Sequence, residues 1–181
     1  MKIGIIGQGY VGLTISAFSG DFFEVIGFDS NQKIVNQLNS GISHIEGVEN
    51  IVLQHLIKAK RYRATSNGND ISDVDVVVIA VPTPLTADRK PDLEYIDAAC
   101  KTIGENISHP VLVINESTSF PGTLRNYIKP AIEKYSSKKV EHLYAISPER
   151  VDPGRTDFNQ KNTPRLFAGL TPEASRKTRE F

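Results

Sequence analysis

Residues 2–12 read Lys2-Ile3-Gly4-Ile5-Ile6-Gly7-Gln8-Gly9-Tyr10-Val11-Gly12, and this stretch decides the fold. Lys2 to Ile6 is a short apolar run of the kind that forms a buried parallel strand. It breaks into glycines at positions 7, 9 and 12, the spacing G-x-G-x-x-G, and continues as a helical stretch through Phe18. A second apolar run, Phe22 to Phe28, ends at Asp29. Strand, glycine turn, helix, strand and acid in that order are the context a dinucleotide site requires. Gly7 permits the tight turn, Gly9 lets the backbone approach a pyrophosphate where a Cβ would clash, and Gly12 lets the helix pack close to the strand. The helix N-terminus offers free N–H groups and a positive dipole end to phosphates. Asp29 is expected to accept hydrogen bonds from the adenosine ribose and to repel a 2′-phosphate, which favours NAD over NADP.

Bulk properties narrow the class. A length of 181 residues suits one domain with a substantial core. Lys and Arg number 21 against 21 Asp and Glu, so no net field draws the chain to nucleic acid or to an anionic membrane. The opening apolar run is too short and too rich in glycine for a signal peptide, and no run approaches the length of a bilayer span. A single cysteine excludes an internal disulfide framework and suits a reducing, cytoplasmic setting.

Further along, Asn31 to Ser40 reads as a helix with Ile34, Val35 and Leu38 on one face, ended by Gly41. Val48 to Lys60 reads as a second helix with Val52, Leu56 and Ala59 inward and His55 sharing that face as a partly buried residue. Tyr62 to Thr65 is a short strand. Val74 to Val81 is the central one, apolar and β-branched nearly throughout, and Pro82-Thr83-Pro84 stops it. A helix from Asp92 carries Leu93, Ile96, Cys100, Ile103 and Ile107 on one stripe, which makes Cys100 a buried, inert thiol. Val111 to Asn115 is a strand, Pro121-Gly122-Thr123 opens a helix with Leu124, Ile128, Ala131 and Tyr135 inward, and His142 to Ser147 is another strand. Arg165 to Leu170 reads as a late strand, and Thr171 as an N-cap with Pro172 at the first helical position. The helix then stops at Phe181 without a capping glycine, as if residues 171–181 led on into a further part.

The alternation predicts an α/β fold with a doubly wound, mainly parallel sheet of Rossmann type and helices on both faces. In such sheets ligands bind beyond the carboxyl ends of the strands. Three polar clusters, Pro82-Thr83-Pro84, Glu116-Ser117-Thr118 and Pro148-Glu149-Arg150, directly follow strands and are expected to converge with the glycine turn on one rim.

Together GQGYVGL, Asp29, LNSG, AVPTP, KPDL, ESTSFPGT and SPERVDPG resemble the nucleotide-sugar 6-dehydrogenases, a group that includes the UDP-glucose and GDP-mannose dehydrogenases. The match runs in order from Met1 to about Gly154, and its last two clusters look like the branch acting on UDP-GlcNAc or UDP-ManNAc. The resemblance implies NAD-dependent oxidation of a sugar C6 alcohol to the carboxylate, with two NAD per substrate, for surface polysaccharide such as capsule. It implies that Tyr10 and Val11 contact the cofactor, that Asp29 holds its ribose, and that Thr83 and Thr118 meet it further along the groove. It assigns Glu149, Arg150 and Val151 to the nucleotide-sugar pocket, Glu149 also to acid–base steps and Thr118 to positioning water.

The same resemblance places the family's nucleophilic cysteine, lysine and asparagine beyond residue 181. Residues 1–170 are then the NAD-binding domain of a longer, homo-oligomeric enzyme, and the chain alone is expected to be inactive. A non-catalytic NAD-binding module and a UDP-glucose 6-dehydrogenase are the competing readings. A 3-hydroxyacid or 6-phosphogluconate-type dehydrogenase fits the opening but not ESTSFPGT and SPERVDPG.

Overall fold

The computed structural model describes residues 1–149 and 163–181. The elements, in chain order, are β1 (Lys2–Ile6), α1 (Tyr10–Ser19), β2 (Glu24–Phe28), α2 (Gln32–Asn39), α3 (Asn50–Lys58), β3 (Tyr62–Thr65), β4 (Val76–Ile79), α4 (Glu94–Asn106), β5 (Leu112–Asn115), α5 (Lys129–Tyr135), β6 (Leu143–Ile146), β7 (Ala168–Gly169) and α6 (Pro172–Glu180). The strands form one sheet in the order β3-β2-β1-β4-β5-β6-β7. All neighbours are parallel except β7, which runs antiparallel to β6. The chain winds outward from β1 through β2 to β3, then returns to β4 on the other side of β1. This reversal opens a crevice at the carboxyl ends of β1 and β4, where ligands of such sheets bind.

Both sheet faces are covered, and the period-2 geometry of the strands shows how. Val76 and Val78 join Ile3, Ile5, Leu13, Leu38 and Leu56 on the face of α1, α2 and α3. Val77 and Ile79 join Ile26, Ile96, Cys100, Ile103 and Ile128 on the face of α4 and α5. A strand buried on both sides has no use for alternation, which is why β4 reads as unbroken Val and Ile. Asn31 caps α2 by accepting from the Lys33 backbone N–H, and Gly41 follows the helix at φ +74°, a conformation that favours glycine. Thr171 Oγ1 accepts from the Ala174 backbone N–H and starts α6, whose Ala174 is buried against the sheet.

Four local expectations are corrected. In α3 Leu56 is inward as expected and Leu53 joins it, while Val52, His55 and Ala59 are exposed. β2 begins at Glu24, and Phe22 is 73% exposed. The late strand is only Ala168–Gly169, because Arg165 turns inward to carboxylates. The helix after Pro121-Gly122-Thr123 opens with a π turn, Leu124–Ile128, before α5. Pro130 has no N–H to donate back one turn, and the wider turn accommodates the lost bond.

Candidate functional site

At the carboxyl end of β1 the glycines divide into two kinds. Gly7 has φ +91°, and a Cβ there would lie 2.5 Å from the Ala80 carbonyl oxygen at the end of β4. A Cβ on Gly12 would lie 1.8 Å from the Gly7 carbonyl oxygen, so α1 can sit on the turn only because position 12 has none. These two are demanded by the protein's own packing. Gly9 is different: it is exposed, its φ of −72° suits any residue, and a Cβ there would meet nothing within 4 Å. The open space over Gly9 at the start of α1 is what a pyrophosphate lying against backbone N–H groups requires. The first turn of α1 contains no acidic residue to offset its dipole, and it carries Tyr10, 37% exposed, and the half-buried Val11.

Asp29 is fastened to this turn. Its Oδ2 accepts from the Gln8 backbone N–H at 2.9 Å and its Oδ1 from the Asn31 backbone N–H at 2.9 Å. The carboxylate is thereby aimed by backbone on both sides while remaining only half-buried, so its outer lone pairs are available to ribose hydroxyls.

Gln8, an unconstrained position in the motif, is a residue that sequence reasoning missed. Its side chain is fully buried, and the amide Nε2 donates to the carbonyls of Ile5 at 3.1 Å and Gly7 at 3.2 Å. Its Oε1 accepts from Ser16 Oγ at 3.1 Å and Tyr62 Oη at 2.9 Å. Burial, and secondarily the nearby Asp29, push the Tyr62 phenol upward, so it remains protonated and a donor. Room for this network comes from Gly27, where a Cβ would lie 2.4 Å from Gln8 Oε1. The available signal was that glycine inside β2, since an interior strand glycine marks a close approach by another group.

The ends of β4, β5 and β6 are also tied together. The Ser117 hydroxyl accepts from the Val81 N–H and donates to the Val81 carbonyl, both at 2.9 Å, and the Glu116 N–H donates to the Ile79 carbonyl at 2.9 Å. Arg165 Nη1 donates to both oxygens of the buried Glu116 at 2.7 Å, and Nη2 to Glu149 Oε2 at 2.8 Å. Burial raises the Glu116 carboxyl above its ordinary range, opposed by the Arg165 guanidinium. Arg165, read from sequence only as part of a strand, is thus the second missed residue. Thr83 is half-buried beyond β4 and Thr118 is exposed beyond β5, whereas Arg150 and Val151 lie outside the described residues. Cys100 is fully buried on α4, where burial pushes its thiol up to about 12. A broad concavity bordered by Asp75, Val111, His142 and Lys177 lies at the opposite, amino edge of the sheet, away from the glycine turn.

Comparisons with known proteins bear on the family and the fold. Residues 1–180 match the model of the UDP-glucose/GDP-mannose dehydrogenase family, NAD binding domain. Protein CapL of Staphylococcus aureus is 33% identical over 95% of this chain and 40% of its own length. UDP-N-acetyl-D-glucosamine 6-dehydrogenase of Pseudomonas aeruginosa is 33% identical over 96% of this chain and 41% of its own. Among solved structures, the UDP-D-ManNAc dehydrogenase of Pyrococcus horikoshii superposes with a TM-score of 0.89 at 30% identity, over 99% of this chain and 44% of that one. The chain therefore spans about two fifths of the length of the curated relatives it matches. With a glycine turn open for a pyrophosphate and an acid bolted beside it, the chain belongs to the UDP-glucose/GDP-mannose dehydrogenase family as its NAD-binding domain.

Proposed function

We propose that the chain is the NAD-binding part of a nucleotide-sugar 6-dehydrogenase that oxidises the C6 alcohol of a UDP-N-acetylhexosamine to the carboxylate, for surface polysaccharide. The observation that carries this reading is the pairing of two features on one rim: the open Gly9 turn with Asp29, and Glu149 at the end of β6. The names of two relatives, a UDP-N-acetyl-D-glucosamine 6-dehydrogenase and a UDP-N-acetyl-D-mannosamine dehydrogenase, support the substrate class.

NAD, when bound, supplies the hydride acceptor, and two equivalents balance the four-electron oxidation of alcohol to carboxylate, with water giving the second oxygen. The turn at Gly7, Gly9 and Gly12 and the first turn of α1, with Tyr10 and Val11, hold the pyrophosphate and the adenosine side. Asp29 accepts from the ribose hydroxyls. Thr83 and Thr118 line the rim towards the reacting carbon, and a threonine hydroxyl there can both donate to and accept from water. Glu149 moves the proton between the sugar hydroxyl or the attacking water and solvent, and with Arg150 and Val151 it borders the sugar nucleotide. Residues 1–170, with α6 packed against their sheet, form the NAD-binding unit of a longer, oligomeric enzyme.

Oxidation of an aldehyde onward calls for a covalent thiol adduct or a hydrate, and the chain's single thiol, Cys100, is sealed in the core. Because the chain spans about two fifths of its relatives' length, the purified chain is expected to enhance and saturate NADH emission, yet to make no NADH from NAD and either UDP-N-acetylhexosamine. Absence of any emission change sinks the cofactor reading. NADH formation by the chain alone sinks the division of labour.

A further inference from the structure

We infer that Arg165 is a positioning residue: its guanidinium, anchored on the buried Glu116, holds the Glu149 carboxylate at the carboxyl end of β6. This rests on the dehydrogenase reading above and deepens it at one side chain. The two carboxylates are unequal anchors. Glu116, whose side chain is 4% exposed, follows β5 directly and its backbone is bonded to β4, so it moves with the sheet. Glu149, 13% exposed at its side chain, lies past the last paired residue of β6 and after Pro148.

A guanidinium presents its N–H groups in a rigid planar fork, so fixing one edge on Glu116 fixes the direction of the donor offered to Glu149. A cation serving only to neutralise Glu116 needs the two Glu116 contacts at 2.7 Å and nothing more. Beyond these, Nη1 also donates to Ser147 Oγ at 3.5 Å, and the 2.8 Å contact of Nη2 with Glu149 Oε2 is the one that reaches the rim. Two carboxylates around one guanidinium also leave the trio able to take up a proton without unpairing Arg165, which suits a group that exchanges protons with substrate.

The test is carbon relaxation of the Glu116 and Glu149 side chains in the whole chain carrying isotope-labelled glutamate. Wild type is compared with Arg165→Lys, which keeps a cation without the planar fork, and with the pair Glu116→Gln/Arg165→Gln, in which two amides replace the ions. Glu149 is expected to be as ordered as Glu116 in wild type and to lose that order in both variants, while Glu116 stays ordered in Arg165→Lys. A Glu149 side chain equally ordered in all three proteins overturns the inference, because Arg165 then serves Glu116 alone. The dehydrogenase reading is scored separately by adding NAD with UDP-N-acetylglucosamine, which should move the Glu149 resonance. Order that follows the Arg165 variants, with a resonance that ignores both ligands, upholds the linkage and sinks that reading.

Discussion

The Asp29 carboxylate and the backbone N–H of Gln8 form a 2.9 Å hydrogen bond that joins the end of β2 to the glycine turn after β1. The acid proposed to hold the ribose and the turn proposed to receive the pyrophosphate are therefore joined directly, 21 residues apart in sequence. Gln8 locks the same junction from beneath through Tyr62 and Ser16. Cofactor affinity should depend on this junction separately from the stability of the fold.

The glycines separate those two quantities. Gly9→Ala puts a methyl into open space in an ordinary conformation, so its melting temperature should stay within about 2 °C of wild type while NAD affinity falls about tenfold or more. Gly12→Ala forces a carbon to 1.8 Å from the Gly7 carbonyl oxygen and should cost about 3 kcal/mol or more of stability. Thermal melts and NAD titrations on both variants check this. Equal stability loss in the two would show that Gly9 is structural.

The buried network under the turn gives a graded series. Tyr62→Phe removes one donor to Gln8 Oε1 and should cost about 1 kcal/mol. Gly27→Ala drives a methyl against the Gln8 amide and the Tyr62 hydroxyl and should cost about 1–3 kcal/mol, with weaker NAD binding. Urea unfolding measures both. A neutral Gly27→Ala would mean that the amide has another seat.

Part of the acid sensitivity should come from His142, which burial, with His109 secondarily, lowers to about 4. The unfolded imidazole titrates near 6.5, so below that pH the unfolded chain binds a proton that the folded chain refuses. Stability is thus held above about pH 6.5 and lost as pH falls toward about 4, and the loss from pH 7.5 to 4.5 should be about 2.5 kcal/mol. His142→Gln should remove that share of the slope. Unfolding free energies measured at the two pH values decide it, and an unchanged slope contradicts the assignment.

Removing one member of a buried ion pair is worse than removing both. Arg165→Gln leaves Glu116 buried without its guanidinium and should cost about 3–5 kcal/mol, while adding Glu116→Gln should recover most of it. Denaturation of the single and double variants measures the difference. Additive losses would contradict the pairing.

What was legible in the sequence was whatever local chemistry dictates. Glycines at 7, 12 and 41, the β-branched run of β4 and the Thr171 cap each announce themselves because only those residue types satisfy the local backbone. The phase of α3 was not legible: apolar residues lie on more than one side of Asn50–Lys58, and only the docked position shows that Leu53, not Val52, is covered. The roles of Gln8, hinted at only by Gly27, and of Arg165 were hidden for another reason. A buried polar side chain is defined by partners far along the chain, Tyr62 in one case and Glu116 in the other, and no spacing rule relates them.

The central claim, that the Gly7–Gly12 turn and Asp29 form an NAD site on this chain, is tested most directly by calorimetric titration with NAD and NADP. Wild type and Asp29→Asn, which keeps a side-chain oxygen for the turn but drops the charge, are titrated in parallel. Saturable NAD binding with NADP much weaker is expected in wild type, and Asp29→Asn should lose about tenfold in NAD affinity and most of the discrimination. Equal affinity for both dinucleotides, or NAD binding indifferent to Asp29→Asn, would contradict the account.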